Sequence, residues 1–179
     1  MNKQKLNKEK LSKNAIALVV LCAVVYFVSY MGRLSYSANI AMVCGFFAID
    51  NGTAGLVGTC LFASYGAGQV VNGLLCKRYN PKISIAIALF VSATSNFAVG
   101  FITRDYFYLV CVSWFINGAA QSILWSSIVL LLKSSLTAKH ISFAVFIMSV
   151  PVSMGTFATY GISALLSALS LSFKISFFV

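Results

Sequence analysis

Residues 14–41 read NAIALVVLCAVVYFVSYMGRLSYSANIA, and Arg33 is the only charged side chain in this stretch. A helix needs about 20 consecutive apolar residues to cross roughly 30 Å of hydrocarbon. The stretch is therefore long enough to span a membrane. Its apolar part is also longer than the roughly 7–15 residues of a signal-peptide core, so we expect it to remain in the mature protein although lysines precede it.

Four further apolar runs of similar length follow, and a shorter sixth run begins after them. The complete runs cover residues 53–76, 83–102, 106–133 and 140–169, and the sixth covers residues 174–179. They do not alternate apolar and polar residues as the strands of a membrane barrel do, and in lipid the helix is the other structure that satisfies the backbone. The sequence predicts an all-α integral membrane protein with five complete transmembrane helices and the start of a sixth.

The overall composition excludes a soluble domain. Of the 179 residues, 60% are hydrophobic and 9% are charged. In soluble domains about 45–50% of the residues are apolar and about 25% are charged. The net charge of +10 raises nucleic-acid binding as an alternative. The basic residues, however, form short clusters between apolar runs, not a surface interleaved with stacking aromatic residues. We therefore expect the lipid bilayer, and no nucleic acid, as a partner.

The basic residues concentrate on one side of the predicted membrane. Residues 1–13 carry five lysines, the connection at residues 77–82 carries three basic residues, and the connection at residues 133–139 carries two. The opposite side has only Arg104 and Lys174. Because basic loops favour the cytoplasmic side, we expect the N-terminus to be cytoplasmic. We expect the protein to be a multi-pass protein of the plasma (cytoplasmic) membrane. Residues 1–13 would form a cytoplasmic basic tail and residues 14–179 a transmembrane domain.

Arg33 is the most informative residue within the predicted spans. A cation at mid-membrane costs at least about 2.5–3.5 kcal/mol and usually faces protein or a water-filled cavity. At about 100° per residue, Tyr26, Tyr30, Arg33 and Ser37 share one helix face. A guanidinium beside phenols suits a phosphate or carboxylate, because arginine offers a rigid fork of donors. The alternative is that Arg33 lies near the membrane interface and extends its head group into water.

The second span is rich in small residues. Its glycines predict close packing against a neighbouring helix, as small residues allow in lipid. They are Gly55, Gly58, Gly66, Gly68 and Gly73. On the same span, the amides of Gln69 and Asn72 could be satisfied either by a neighbouring helix or in a polar cavity.

The fourth span places Asn117, Gln121 and Trp125 at intervals of four, and therefore on one face. These groups could contact a ligand or join helices by hydrogen bonds, which contribute about 0.6 kcal/mol on average in membranes.

In the fifth span, Pro151 followed by Gly155 predicts a kink. Pro81 lies in a basic connection, where a turn and a helix start are expected.

The sequence shows no catalytic constellation. The single histidine, His140, lies in a connection, and the acidic residues Glu9, Asp50 and Asp105 lie in the tail or in loops. The cysteines have neither metal-ligand nor secreted-disulfide spacing, so we expect them to act as small apolar residues. They are Cys22, Cys44, Cys60, Cys76 and Cys111. We therefore expect neither an enzyme nor a bound cofactor or metal.

Several segments together carry a resemblance to a known family. Tyr26, Tyr30 and Arg33 are followed by SYGAGQVVNG at 64–73, KRYNPK at 77–82, NGAAQ at 117–121 with Trp125, and FKISFFV at 173–179. In this order they resemble the amino-terminal half of the major facilitator transporters. More narrowly, they resemble the organophosphate:inorganic phosphate antiporters, which carry glycerol 3-phosphate or hexose phosphates.

The resemblance implies a fold, a ligand and a mechanism. The fold would be an incomplete, truncated amino-terminal six-helix bundle of a twelve-helix family, which lacks a carboxy-terminal partner half. The substrate would be a small, phosphorylated organic anion exchanged against inorganic phosphate by alternating access. Its binding residues would be Arg33, Tyr26, Tyr30, Gln121 and Trp125.

This chain also departs from the family pattern. Lys77 stands where the loop motif usually has an acidic residue, and Ser126 and Ser127 replace a proline pair. Residues that are basic in some members are Leu34, Gln69 and Val152 here. The identity of the substrate therefore stays open. We expect a fragment, a truncated paralogue or one part of a split transporter; the alternatives are a non-transporting membrane sensor of a sugar phosphate and a nonfunctional remnant.

Overall fold

The computed structural model describes residues 12–75 and 78–178, and within these residues the fold is helical. The α-helices are α1 (Lys13–Ala38), α2 (Ile40–Phe47), α3 (Asn51–Leu75), α4 (Pro81–Phe101), α5 (Tyr108–Ser135), α6 (Ala138–Ile147) and α7 (Ser149–Ala168). Short 3-10 helices lie at Arg104–Tyr106 and Phe173–Phe177. The predictions for most of the basic tail, for Cys76 and Lys77 and for Val179 fall outside the described residues.

Five spans in the described part of the chain are long and apolar enough to cross a membrane. They are α1, α3, α4, α5 and the stretch Ala138–Ala168, which comprises α6 and α7. The prediction of an all-α, multi-pass membrane protein with five complete spans is confirmed. The predicted boundaries fall within a few residues of these helix ends.

Side chains in the connections define where several spans begin. The carboxylate of Asp50 accepts hydrogen bonds from the backbone N–H groups of Gly52 and Thr53, at 2.8 and 3.1 Å, and from the Thr53 hydroxyl at 2.5 Å. The hydroxyl, followed by the backbone donors, lowers the pKa of Asp50, so this residue caps α3 as an anion. Pro81 opens α4 behind the Asn80 cap, which confirms the predicted helix start.

Two spans are interrupted where a residue disturbs the helical hydrogen-bond pattern. Asn39 separates α1 from α2, and its side-chain amide donates to the Ser35 carbonyl at 2.7 Å, a local bond that competes with the helix. The fifth span is interrupted at Met148, which separates α6 from α7. Pro151 has no N–H to give to the carbonyl of Ile147, one turn earlier. The kink predicted from Pro151 therefore lies at this junction.

Helix α5 is the centre of the bundle. In its most apolar window 56% of the residues are buried, against 17–33% in the other spans. Its most extensive contacts are with α3 and α4, whereas α1 packs mainly against α7. The remaining faces of α1, α3, α4 and α7 carry exposed large apolar side chains, as expected for surfaces that meet lipid.

The glycines of α3 divide into two groups. A Cβ at Gly68 would collide with the Ser122 side chain of α5, so close packing is confirmed there. At Gly55, Gly58, Gly66 and Gly73 an added Cβ would meet nothing within 4 Å. For these four the prediction of close packing is wrong in the described structure, because α5 contacts only one face of α3.

The segment Phe173–Phe177 forms a 3-10 helix where the start of a sixth α-helix was expected. Phe173 and Phe177 are buried in a core cluster with Tyr36 and Trp114. The ammonium group of Lys174 donates to the Ile102 carbonyl at 3.0 Å and lies 4.6 Å from the centroid of the Phe46 ring. These contacts hold the segment against one end of the bundle.

Candidate functional site

Helices α1 and α3 bring aromatic rings close to the side chain of Arg33. The Arg33 Cζ lies 4.0 Å from the ring centroid of Tyr65 on α3 and 5.6 Å from that of Tyr30 on α1. Both distances lie within the roughly 6 Å over which a cation and an aromatic face attract each other. The Tyr65 ring therefore orients a guanidinium that the helix pattern had already placed beside Tyr30.

Further aromatic contacts extend this group to α5. The rings of Tyr26 and Trp125 lie 4.9 Å apart with a tilt of 32°, and those of Tyr26 and Tyr30 lie 5.6 Å apart, edge to face. All of these side chains, with Arg33, are partly exposed. We call this group the Arg33 cluster; its members are Tyr26, Tyr30, Arg33, Tyr65 and Trp125. It unites four of the five predicted binding residues.

The donors of Arg33 are not all used within the protein. Its Nε is buried and has no hydrogen-bond partner among the described residues, an arrangement that typically costs about 1–3 kcal/mol. The acidic residues that the structure describes, Asp50 and Asp105, lie in connections between spans. Because an aromatic face does not occupy the in-plane N–H groups of a guanidinium, Arg33 can still present a fork of donors to an anion.

Gln121, the fifth predicted binding residue, is buried between helices and is 4% exposed. Its Oε1 accepts a hydrogen bond from the Ser29 hydroxyl at 2.5 Å. Its Nε2 donates to the Ser29 carbonyl at 3.1 Å and to the Ser92 hydroxyl at 3.0 Å. The amide thus joins α5 to α1 and α4. A ligand contact of Gln121 stays a prediction.

Gln121 belongs to a larger set of buried polar groups between α1, α4 and α5. The Ser35 hydroxyl donates to the Asn96 Oδ1 at 2.9 Å, and the Ser92 hydroxyl donates to the Asn117 Oδ1 at 2.7 Å. We call this set the buried amide network; its members are Ser29, Ser35, Ser92, Asn96, Asn117 and Gln121. Its side-chain hydrogen bonds link three helices, so it fixes their relative rotation.

The alternatives left open for Gln69 and Asn72 are resolved in favour of a neighbouring helix. The Asn72 amide donates to the Ser122 hydroxyl at 2.9 Å, and the Gln69 amide donates to the Ser122 carbonyl at 3.4 Å. The hydroxyl of Ser126 in turn donates to the Gln69 Oε1 at 3.5 Å. Both amides therefore help to attach α3 to α5.

Tyr65 is a cluster residue that sequence reasoning missed as a site residue. The motif at 64–73 contains it, but the rotation of α3 relative to α1 cannot be read from that motif.

The four described cysteines are free. In residues 12–75 and 78–178, no three His, Cys, Asp or Glu side chains converge as metal ligands.

Comparison with known proteins identifies the family. Residues 22–179 match the model of the Major Facilitator Superfamily. The "Probable hexose phosphate transport protein" of Chlamydia pneumoniae is 26% identical over 100 residues, which cover 56% of this chain and 22% of that protein. "Protein spinster homolog 1" of Rattus norvegicus is 27% identical over 109 residues, or 61% of this chain and 20% of the relative.

A third relative is the "Sphingosine-1-phosphate transporter SPNS2" of Danio rerio, which is 26% identical over 94 residues, or 52% of this chain and 19% of that protein. The matched segment thus spans about a fifth of the length of these relatives. The family match, in contrast, covers most of this chain and agrees with the five helical spans. The chain belongs to the major facilitator superfamily.

Proposed function

We propose that the chain is the amino-terminal part of a secondary active transporter that exchanges phosphorylated small organic anions against inorganic phosphate. The observation that carries this proposal is the Arg33 guanidinium, which is held by aromatic rings and retains an unpartnered buried donor. In this proposal Arg33 binds the phosphate group. The hydroxyls of Tyr26 and Tyr30 hydrogen-bond further phosphate oxygens, and Trp125 packs on the organic part.

The named relatives support a phosphorylated ligand over a carboxylate. One is named for hexose phosphate and another for sphingosine-1-phosphate. These two substrates share a phosphate monoester and differ in the organic group attached to it. The proposed substrate class is accordingly a phosphate monoester, with the organic group left open.

The remaining site residues have supporting roles in this proposal. The Tyr65 ring orients the guanidinium, and Gln121 fixes α5 against α1, so that Trp125 stays opposite Tyr26. Alternating access would rock this bundle against a second half around the anion, as in other secondary transporters. In this proposal the anion binds between the two halves. Its phosphate group therefore needs a cationic side chain whose charge is not already paired with an acidic residue of this bundle, and Arg33 is that side chain.

Tryptophan fluorescence tests the binding step directly. Trp125 lies in the Arg33 cluster, whereas Trp114 is 1% exposed in the core. Titrating the purified chain in lipid nanodiscs with glucose 6-phosphate or inorganic phosphate should change the emission, and glucose should not. The change should disappear in Trp125→Phe and persist in Trp114→Phe. An equal response to glucose, or none to either phosphate compound, would argue against the proposal.

We further propose that the amino terminus is cytoplasmic and that the protein resides in the plasma membrane. The asymmetry of the basic residues supports this orientation. An Asn51→Cys variant, in which the five native cysteines are replaced by alanine, should react with a membrane-impermeant maleimide added outside intact cells. A cysteine introduced at Asn80 should react only after the cells are opened. The reverse pattern would overturn the orientation.

A further inference from the structure

Helix α7 carries a row of hydroxyl side chains on one face. The members of this row are Ser149, Ser153, Thr156 and Tyr160. The polar face of α1 that contains Arg33 has the same spacing, with its members at positions 26, 30, 33 and 37. At about 100° per residue, each set occupies a narrow strip of its helix. We call the set on α7 the hydroxyl row.

Two contacts fix how α7 lies along α1. At Gly155 an added Cβ would lie 3.0 Å from the Tyr30 Cβ and 3.2 Å from the Phe27 carbonyl oxygen. Later in both helices, the Ser163 hydroxyl donates to the Ala38 carbonyl at 2.7 Å. Because the later residue of α7 meets the later residue of α1, the two helices run in the same direction along this contact.

Tyr160 lies at nearly the same depth as Arg33. On α7, Tyr160 lies between the two contact residues Gly155 and Ser163. On α1, Arg33 lies between the residues that these two contact. At a rise of 1.5 Å per residue, the Cα atoms of Arg33 and Tyr160 differ in depth by less than one helical turn, which is about 5 Å.

Tyr160 also lies on the same side of the α1–α7 contact as the Arg33 cluster. On the opposite side, Val24 of α1 and Met154 of α7 line an apolar groove, and no member of the Arg33 cluster or of the hydroxyl row lines it. Around α1, Arg33 points about 180° away from Val24. Around α7, Tyr160 points about 120° away from Met154 and about 140° away from Gly155. Arg33 and Tyr160 therefore share the side of the helix pair that faces away from the groove.

Tyr160 differs from other members of the hydroxyl row in how its oxygen is used. The Ser149 hydroxyl donates to the Phe146 carbonyl at 2.7 Å, and the Thr156 hydroxyl donates to the Val152 carbonyl at 2.8 Å. A phenol is too long to bond to the carbonyls of its own turn. Tyr160 is 49% exposed, and its hydroxyl has no hydrogen-bond partner among residues 12–75 and 78–178. Its hydroxyl is therefore available to a ligand.

The depth of Tyr160 argues against a role as a membrane-surface anchor. Tyrosines of that kind lie at the level of the lipid headgroups. Helix α7 ends at Ala168, and Tyr160 precedes that end by about 12 Å along the helix axis. A hydroxyl group without a partner is costly at this depth, because hydrocarbon offers no hydrogen bonds. A polar ligand on this side of the helix pair would remove that cost.

We propose that the Tyr160 hydroxyl hydrogen-bonds the organic group of the phosphate compound bound at Arg33, and that it favours organic groups that carry hydroxyls. The inference rests on the proposed function, in which the anion lies on the side of α1 that carries Arg33. The phosphate itself stays with the cation. Packed helix axes lie about 8–10 Å apart, so a phenol on α7 reaches the group attached to the phosphate.

Fluorescence titration with two phosphate monoesters tests this role. Glucose 6-phosphate carries hydroxyls on its organic group, whereas methyl phosphate carries none and has the same phosphate charge. In the full chain in lipid nanodiscs, Tyr160→Phe should weaken glucose 6-phosphate binding by roughly two- to tenfold, the usual effect of one hydrogen bond between uncharged groups. Binding of methyl phosphate should stay unchanged. The matched control is Tyr108→Phe, at an exposed tyrosine where α5 begins, and it should alter neither affinity.

The outcomes separate this inference from the proposed function. Unchanged glucose 6-phosphate binding in Tyr160→Phe would overturn the inference and leave the proposed function in place. Equal weakening of both compounds would also overturn it, because Tyr160 would then act on the phosphate or on the fold. If neither compound binds to the parent chain, the proposed function fails, and the inference fails with it.

Discussion

The Arg33 cluster and the buried amide network meet on α1, where Ser29 and Tyr30 are adjacent, yet their polar groups are used differently. In the network, Gln121 makes side-chain hydrogen bonds to two other helices and is almost fully buried. In the cluster, Arg33 is partly exposed, contacts aromatic faces, and retains a donor without a partner in the described structure.

Gln121 and Arg33 thus show two uses of a polar group, one in joining helices and one in which exposure leaves the group open to a ligand. An unpartnered buried donor alone does not make this distinction, because the Asn117 Nδ2 of the network also has no partner among the described residues. A polar group whose hydrogen bonds are completed by other helices contributes to the rigidity of the bundle. A cation that is positioned by aromatic rings, with no carboxylate beside it among the described residues and one donor unpaired, gains most from an added anion. Gln121 and Trp125 lie one turn apart on α5, so a single central helix supports both functions.

The largest effect is expected where the packing that supports both regions is broken. Gly118→Leu would push a side chain into Ser64 and the Leu61 carbonyl, and overpacking of this kind costs typically about 1–3 kcal/mol and occasionally more. We expect loss of the folded protein or a large drop in thermal stability, followed by tryptophan fluorescence in detergent. Gly66→Leu is the control, since its added side chain would enter open space and should be tolerated. Similar stability of the two variants would refute the central role of the α3–α5 contact.

An intermediate effect is expected for Gln121→Leu, which removes three side-chain hydrogen bonds. At about 0.6 kcal/mol for each interhelical bond, the loss of stability should be roughly 2 kcal/mol. The control Gln69→Leu removes only two long contacts, at 3.4 and 3.5 Å, and should cost less. Phosphate binding to the folded fraction should change little in Gln121→Leu. A loss of binding without a loss of stability would instead assign Gln121 to the ligand.

A smaller effect is expected at Tyr65, where the ring and not the hydroxyl contacts Arg33. Tyr65→Leu should weaken binding of a phosphate compound by about 0.5–1 kcal/mol, because the cation–aromatic contact that orients the guanidinium is lost. Tyr65→Phe keeps the ring and should bind nearly as well as the parent. The measurement is the fluorescence titration with glucose 6-phosphate. If both substitutions weaken binding equally, the hydroxyl is a direct ligand and the orienting role is wrong.

The spans could be predicted from the sequence because hydrocarbon imposes their length and composition. The interruption before Pro151 could also be predicted from the sequence. Proline lacks the backbone N–H that would bond to the preceding helical turn, and this effect depends only on neighbouring residues. The break at Asn39 was missed, because asparagine is compatible with a helix and its competing bond to Ser35 became visible only in the structure. The 3-10 helix near the end of the chain depends on where Phe173 and Phe177 pack, which is a tertiary effect.

Site residues within one helix were easier to predict than residues between helices. Tyr26, Tyr30 and Arg33 share a face at any orientation of α1, so helical spacing was sufficient. The contacts of Tyr65 and Gln121 depend on how α3 and α5 rotate against α1, and a single sequence does not contain that rotation. The glycines of α3 illustrate the same limit. Five were predicted to pack closely, and only Gly68 lies so close to α5 that an added Cβ would collide with it.

Binding of a phosphate compound to Arg33→Lys tests the central claim most directly. Lysine keeps the positive charge but lacks the planar fork of donors, so we expect the variant to lose most of the binding of glucose 6-phosphate and inorganic phosphate. Tyr30→Phe, which removes one hydroxyl, should cost about 0.5–3 kcal/mol, according to the charge of its partner. If Arg33→Lys binds phosphate with unchanged affinity, Arg33 is a residue that only extends toward the membrane interface, and the proposed anion site is wrong.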